Sequence, residues 1–189
     1  MQSMENHGLT LAISVTAFLL APGLCAAQQT GTSALVAPAK ATDRLTREVR
    51  HELGMQPYYG VFDDLSYAVS GSVVTLYGRV TKPALKSGAE DAVKRIEGVS
   101  KVDDQIKVLP ISSMDDQVRR AEYRAIYSHP GLDMYALQAV PSIHIIVENG
   151  RVTLEGTVAS QSDKNLAGVA ANGVSGVFSV GNNLRVDGR

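Results

Sequence analysis

The sequence predicts an α+β fold built twice: two tandem α-β-β-α-β domains, each a three-stranded sheet with two helices on one face. Three observations carry this reading. Sliding the 189-residue chain by 78 positions aligns Leu65–Val108 with Ile143–Val186 without a gap, a self-similarity that chance does not produce. Within each copy, short β-rich runs alternate apolar and polar residues around a turn. Before and after each pair of runs, apolar residues recur at helical spacing.

The identities include Val74/Val152, Thr75/Thr153, Leu76/Leu154, Gly78/Gly156, Val80/Val158, Ala89/Ala167, Gly98/Gly176 and Val99/Val177. The opening strands are Leu65–Val69 and Ile143–Val147. Asn149-Gly150 is a strong two-residue hairpin signal because both residues tolerate positive φ, and Ser70-Gly71-Ser72 holds the same place in the first copy. On the return strands, Val74, Leu76, Gly78 and Val80 share one face, as do Val152, Leu154, Gly156 and Val158. The glycine on the buried face is expected to let a helix approach closely.

A helix follows in each copy. Pro83 suits a first turn, and Leu85, Ala89, Ala92, Val93 and Ile96 form one stripe; Ser160 or Ser162 is a natural N-cap before Leu166, Ala167, Ala170, Ala171 and Val174. Gly98 and Gly176 are expected to end these helices in a left-handed conformation. Val102, Ile106 and Val108 form one closing strand, and Val180, Leu184 and Val186 the other. Upstream of the hairpins, Leu45, Val49 and Leu53 mark one leading helix, and Val118, Ala121, Ala125 and Ile126 mark the other. The organisation is a first domain over 43–110, a linker over 111–115 and a second domain over 116–189.

Residues Leu9–Leu24 are an uncharged apolar run, short for a membrane span of roughly 20 residues and suited to the core of a secretory signal. Cys25-Ala26-Ala27 offers small residues for cleavage after Ala27, so 1–27 read as a signal peptide. MQSMENHG lacks Lys and Arg, which leaves a retained N-terminal anchor as the rival. Leu24 before Cys25 argues against lipidation of that cysteine. Residues 28–42 are small and polar and read as a flexible leader.

The chain has 18 Lys and Arg against 19 Asp and Glu, which excludes a protein that wraps nucleic acid. One cysteine excludes a disulfide framework and a Cys-rich zinc site. His51, His129 and His144 show no metal-ligand spacing, and there is no phosphate-binding or dinucleotide fingerprint. Asp63-Asp64, Asp103-Asp104 and Asp115-Asp116 lack the spaced oxygens of a calcium loop and suit turns and caps. No catalytic residue, metal or cofactor is expected.

The recurring pattern is strand, turn, VTLxGxV, an alanine-rich helix, GVxxV and a closing strand. It reads SGSVVTLYGRVTKPALKSGAEDAVKRIEGVSKVDDQIKV and ENGRVTLEGTVASQSDKNLAGVAANGVSGVFSVGNNLRV. This resembles the BON domain, over nearly all of Asp43–Val186, twice. The resemblance implies an α-β-β-α-β fold in tandem, a periplasmic or cell-envelope location, stress tolerance of the envelope, and binding to phospholipid or another large partner without catalysis. Asp103-Asp104 departs from the more family-like Gly181-Asn182-Asn183. Ten bases against ten acids in Asp43–Pro110, and seven against eight in Ile111–Arg189, give lipid binding no help from net charge.

In a chain with seven Tyr, three Phe and no Trp, two helix-to-strand loops concentrate Tyr58, Tyr59 and Phe62, and Leu132, Met134, Tyr135 and Leu137. These loops are expected either to cover the sheets and join the copies, or to present a contact surface for lipid headgroups or a protein partner. The functional expectation is a non-enzymatic envelope protein that binds membrane phospholipid or another envelope component. The alternative is a protein–protein adaptor in a secreted or envelope complex, and a periplasmic hydrolase is a distant third.

Overall fold

A computed structural model describes residues 33–187. The signal-peptide and lipidation expectations on 1–27 lie outside these residues, as do 28–32 of the expected leader. Helix α1 spans Ser33–Gly54, so the chain is helical from within the stretch expected to be flexible. The four alanines of Ser33–Thr42 favour helix there, against Pro38, which removes one backbone donor.

The first copy continues with β1 (Asp64–Ser70), β2 (Val73–Val80), α2 (Pro83–Lys94), β3 (Lys101–Asp104) and β4 (Lys107–Val108). Strand β1 pairs antiparallel with β2, and β3 and β4 pair parallel with β2. The third strand is therefore broken. Asp104 Oδ1 accepts from Ile106 N–H at 2.9 Å in a local turn, while Ile106 is buried. The second copy repeats this with α3 (Ser113–Tyr127), a 3-10 turn (Asp133–Ala136), β5 (Ile143–Glu148), β6 (Arg151–Val158), α4 (Gln161–Asn172), β7 (Ser179–Asn182) and β8 (Arg185–Val186). The two helices of each copy pack on one face of its sheet, as the sequence predicts.

The cores hold equivalent residues. Val74, Leu76, Val80, Leu85, Ala89 and Val93 pack with Leu45, Val49 and Leu53 of α1. Val152, Leu154, Val158, Ala167 and Ala171 pack with Val118 and Ile126 of α3. Leu76 and Leu154 are fully buried, each contributing roughly 2 kcal/mol through lost apolar exposure. Pro83 stands in the first turn of α2, and Ser160 and Ser112 cap α4 and α3 by accepting from Asp163 and Asp115 N–H. Helix α3 thus starts inside the expected linker.

The repeated glycines act on different neighbours from those expected. Gly78 and Gly156 adopt φ of +130° and +113°, and a Cβ at either would lie 2.0 or 2.1 Å from a carbonyl oxygen, of Asp64 or Ser142. The hairpin's own first strand, and not a helix, forbids the side chain. Gly98 and Gly176 have positive φ, but their helices have already ended at Lys94 and Asn172. Gly98 instead serves the turn in which Val99 N–H donates to Ile96 O.

The stripe expected on α3 is rotated in the fold. Asp115, Arg119 and Glu122 are buried beside Val118, Ile126 and Tyr127, whereas Ala121 and Ala125 are half-buried. Asp115 accepts from Asn149 and Gly150 N–H and so binds the hairpin turn to α3. Glu122 is wholly buried with both carboxylate oxygens unbonded, and burial pushes its pKa up to about 8.

Two predictions follow from these contacts. Gly156→Ala is expected to destabilise the fold by at least ~2 kcal/mol, because it forces both a clash and a disfavoured φ; denaturant unfolding checks it. The folded Glu122 carboxyl keeps its proton to about pH 8, while the unfolded one loses it near 4.5. Its stabilising neutral form is therefore fully present below that lower pH and is lost as pH rises through 8. Glu122→Gln, uncharged at every pH, is expected to flatten the decline in melting temperature between pH 5 and 8 and to raise the melting temperature more at pH 8 than at pH 5.

Candidate functional site

The first aromatic loop is mostly a clasp between the copies. Val61 O accepts from Ile145 N–H at 2.7 Å, placing extended backbone of the first copy against β5 of the second. Tyr59 stacks on His144 with ring centroids 5.4 Å apart and planes 17° apart, its hydroxyl 3.5 Å from Nε2. Phe62 meets Tyr123 of α3 edge to face at 6.3 Å, and Val61 and Phe62 both pack against the second core. Asp63 holds the loop in shape by accepting from Gly60 N–H, Thr81 N–H and Thr81 Oγ1.

The polar side of the contact runs between the sheet faces that point away from the helices. Arg79 Nη2 lies 3.2 Å from Glu155 Oε1, and Nη1 donates to Thr153 Oγ1 at 3.3 Å. Burial holds the His144 imidazole below its ordinary pKa, opposed by Asp64, and pushes the Tyr59 phenol up to about 12. Burial also raises Asp64, with Glu155 adding to the effect. A neutral His144 beneath a protonated Tyr59 is a packed, hydrogen-bonded joint.

The second aromatic loop divides in the same way. Leu132 and Tyr135 are buried in the second core; the Tyr135 hydroxyl donates to Asp163 Oδ2 at 2.7 Å and accepts from Ala159 N–H. Among the seven loop residues, Tyr59 and Phe62 are half-buried in the joint, while Tyr58, Met134 and Leu137 are exposed, at 67%, 55% and 86%. Lys82 Nζ sits 4.5 Å from the Tyr58 ring centroid.

A groove carrying both arginines and glutamates, which the sequence reading did not identify, lies on the helix side of the first copy. A groove of about 430 Å³ between α1 and α2 is lined by Arg47, Glu48, His51, Glu52, Arg95 and apolar atoms of Ala92 and Ile96. A second hollow continues past Arg50 to Gly54 and Met55, which is 68% exposed. Glu48 is already paired with Arg44, whereas Arg47, Arg50 and Arg95 make no ion pair among the described residues. The sequence did not bring these arginines together: Arg47 and Arg50 share a side of one helix, but Arg95 joins them only through the packing of α1 on α2.

The adjacent aspartates act within the fold: Asp63 holds its loop, Asp104 the break in the third strand, and Asp115 a hairpin. Among the described residues no group of three or more His, Cys, Asp or Glu is placed to hold a metal ion. The arrangement offers contact area and charge.

Comparison with known proteins agrees with the duplicated fold. The model for the BON domain matches residues 41–110 and 132–188. The chain is 36% identical over 125 residues to osmotically-inducible protein Y of Escherichia coli (strain K12), an alignment covering 65% of this chain and 61% of that protein, so it spans about three fifths of the relative's length. Among solved structures, the C-terminal domain of CdsD, a structural protein of the type III secretion system of Chlamydia trachomatis, aligns over 76% of this chain and 98% of its own at 13% identity and a TM-score of 0.27. The model covers the first copy and, past α3, the β-β-α-β part of the second, and with about two thirds of its residues matched the chain belongs to the BON domain family.

Proposed function

We propose that this is a non-enzymatic protein of the cell envelope that contacts anionic phospholipid surfaces and contributes to stress tolerance there. The observation that carries it is the helix side of the first copy, where Arg47 and Arg95 in the groove and Arg50 in the adjoining hollow make no ion pair among the described residues, beside Glu48, Glu52, apolar lining and exposed Met55. Guanidinium groups suit phosphate oxygens, and each basic residue near an anionic membrane contributes about 1 kcal/mol, reduced by salt. An exposed methionine adds adaptable apolar contact. The envelope setting draws support from the apolar N-terminal run and from the likeness to osmotically-inducible protein Y.

The clasp decides which variants test this cleanly. Tyr59 and Phe62 join the copies, so replacing them disturbs the fold as well as any surface. Arg47→Gln with Arg50→Gln leaves the cores untouched. The wild-type chain is expected to co-sediment with vesicles containing phosphatidylglycerol better than with pure phosphatidylcholine, and the double variant to bind roughly thirty-fold more weakly. Tyr58→Ser is expected to have a smaller effect. Absence of vesicle binding by the wild type at low salt removes the reading and leaves the adaptor alternative.

A further inference from the structure

The two copies treat their edge strands differently. In the first, β3 reads Lys101-Val102-Asp103-Asp104, with three charges in four residues; in the second, β7 reads Ser179-Val180-Gly181-Asn182, with none. Each strand is bonded to one neighbour only, β2 or β6. Phe178 N–H donates to Gly150 O at 2.8 Å, so by strand alternation Phe178 and Val180 turn their backbone groups toward β6, while Ser179 and Gly181 turn theirs outward. Charged residues on an edge guard it against pairing with another strand. β3 carries that guard and β7 does not.

Packing does not impose this difference. A Cβ at Gly181 would meet nothing closer than Thr153 Cγ2 at 3.8 Å, and its φ is not in the left-handed region, so neither contact nor backbone demands glycine there. The missing side chain leaves open the face beside a groove of about 640 Å³ lined by Arg79, Glu148, Asn149, Arg151, Thr153 and Phe178. Phe178 is 77% exposed, with the Arg151 guanidinium 5.6 Å from its ring centroid, and Arg151 makes no ion pair among the described residues. The opposite edge of the same sheet already takes an added segment, through the hydrogen bond from Ile145 to Val61.

We propose that β7 is a docking edge for an extended segment of a partner protein, which pairs with Ser179–Asn182, sets an acidic side chain against Arg151 and lays an apolar one on Phe178. Main-chain hydrogen bonds supply affinity and the two side-chain contacts supply selectivity. A second copy fits less well, because β7 brings no carboxylate to Arg151. This surface shares no residue with the groove between α1 and α2, so it stands or falls apart from membrane contact.

The probe is a fluorescein-labelled decapeptide of alternating Thr and Val with one central Glu, titrated against the full chain. Twins carry Lys in place of Glu, or Pro at two alternate positions to remove ladder donors. The Glu peptide is expected to bind, with the Lys and Pro twins at least tenfold weaker. Gly181→Asp, which installs the charge that Asp103 supplies in the first copy, and Arg151→Gln are each expected to weaken the Glu peptide at least tenfold at unchanged melting temperature. No binding by the Glu peptide, equal binding of the Pro twin, or undiminished binding by Gly181→Asp overturns the proposal. A wild-type dimer in sedimentation equilibrium that Gly181→Asp dissociates also overturns it, assigning the edge to a second copy.

Discussion

Strand β5 sets the terms for the rest of the molecule, because it is buried on both faces and must still satisfy its free edge. Its first five residues are all buried, where the equivalent β1 alternates. On the free edge, Ile143 O accepts from the Tyr127 hydroxyl, Ile145 N–H donates to Val61 O, and Val147 O accepts from Arg119 Nη2. A buried backbone group left unbonded costs on the order of 1–3 kcal/mol, so these three partners are not optional. Two come from α3 and one from the other copy, which is why a helix in the core carries a buried arginine and why the first aromatic loop is committed to the joint.

Duplication thus produced copies with different duties. The first exposes alternate residues of β1, charges its β3 edge and gathers arginines on its helix side. The second is sealed along β5 and unguarded along β7. Polar residues cost the second copy stability: Arg119 must enter a buried site to reach Val147 O, and Glu122, one turn further along α3, is carried in with no partner for its oxygens. The neutral carboxyl is the cheaper form there, since burial disfavours charge.

Much of this was legible from spacing alone. The 78-residue offset placed both hairpins, because period-two alternation and Asn149-Gly150 are local signals that tertiary context rarely overrides, and φ of +53° and +73° confirms that turn. Pro83 and Ser160 marked helix starts for the same local reason. What escaped the sequence is non-local. Nothing in a string of residues states that Gly78 opposes the carbonyl of Asp64, or that Tyr59 stacks on a histidine 85 residues later. The rotation of α3 escaped because the stripe rule favours Ala121 and Ala125 over Arg119 and Glu122, whereas the fold needed a long donor at 119 to reach a strand edge. Apolar loop residues suited either a joint or a surface, and only packing separates Tyr58 from Tyr59.

That separation also bears on function. A contact protein needs surface that its own fold does not consume, and here the aromatic loops are largely consumed: Tyr59, Phe62, Leu132 and Tyr135 hold copies or cores together. The free capacity lies where the sequence looked ordinary, in arginines that make no ion pair among the described residues, and in a four-residue strand notable only for lacking charge. Net charge measures neither, because a guanidinium interacts with what lies within about a Debye length and not with the sum over the chain. The proposed contacts therefore depend on which charges remain unpaired after folding, and folding leaves Arg47, Arg50, Arg95 and Arg151 without an ion pair among the described residues.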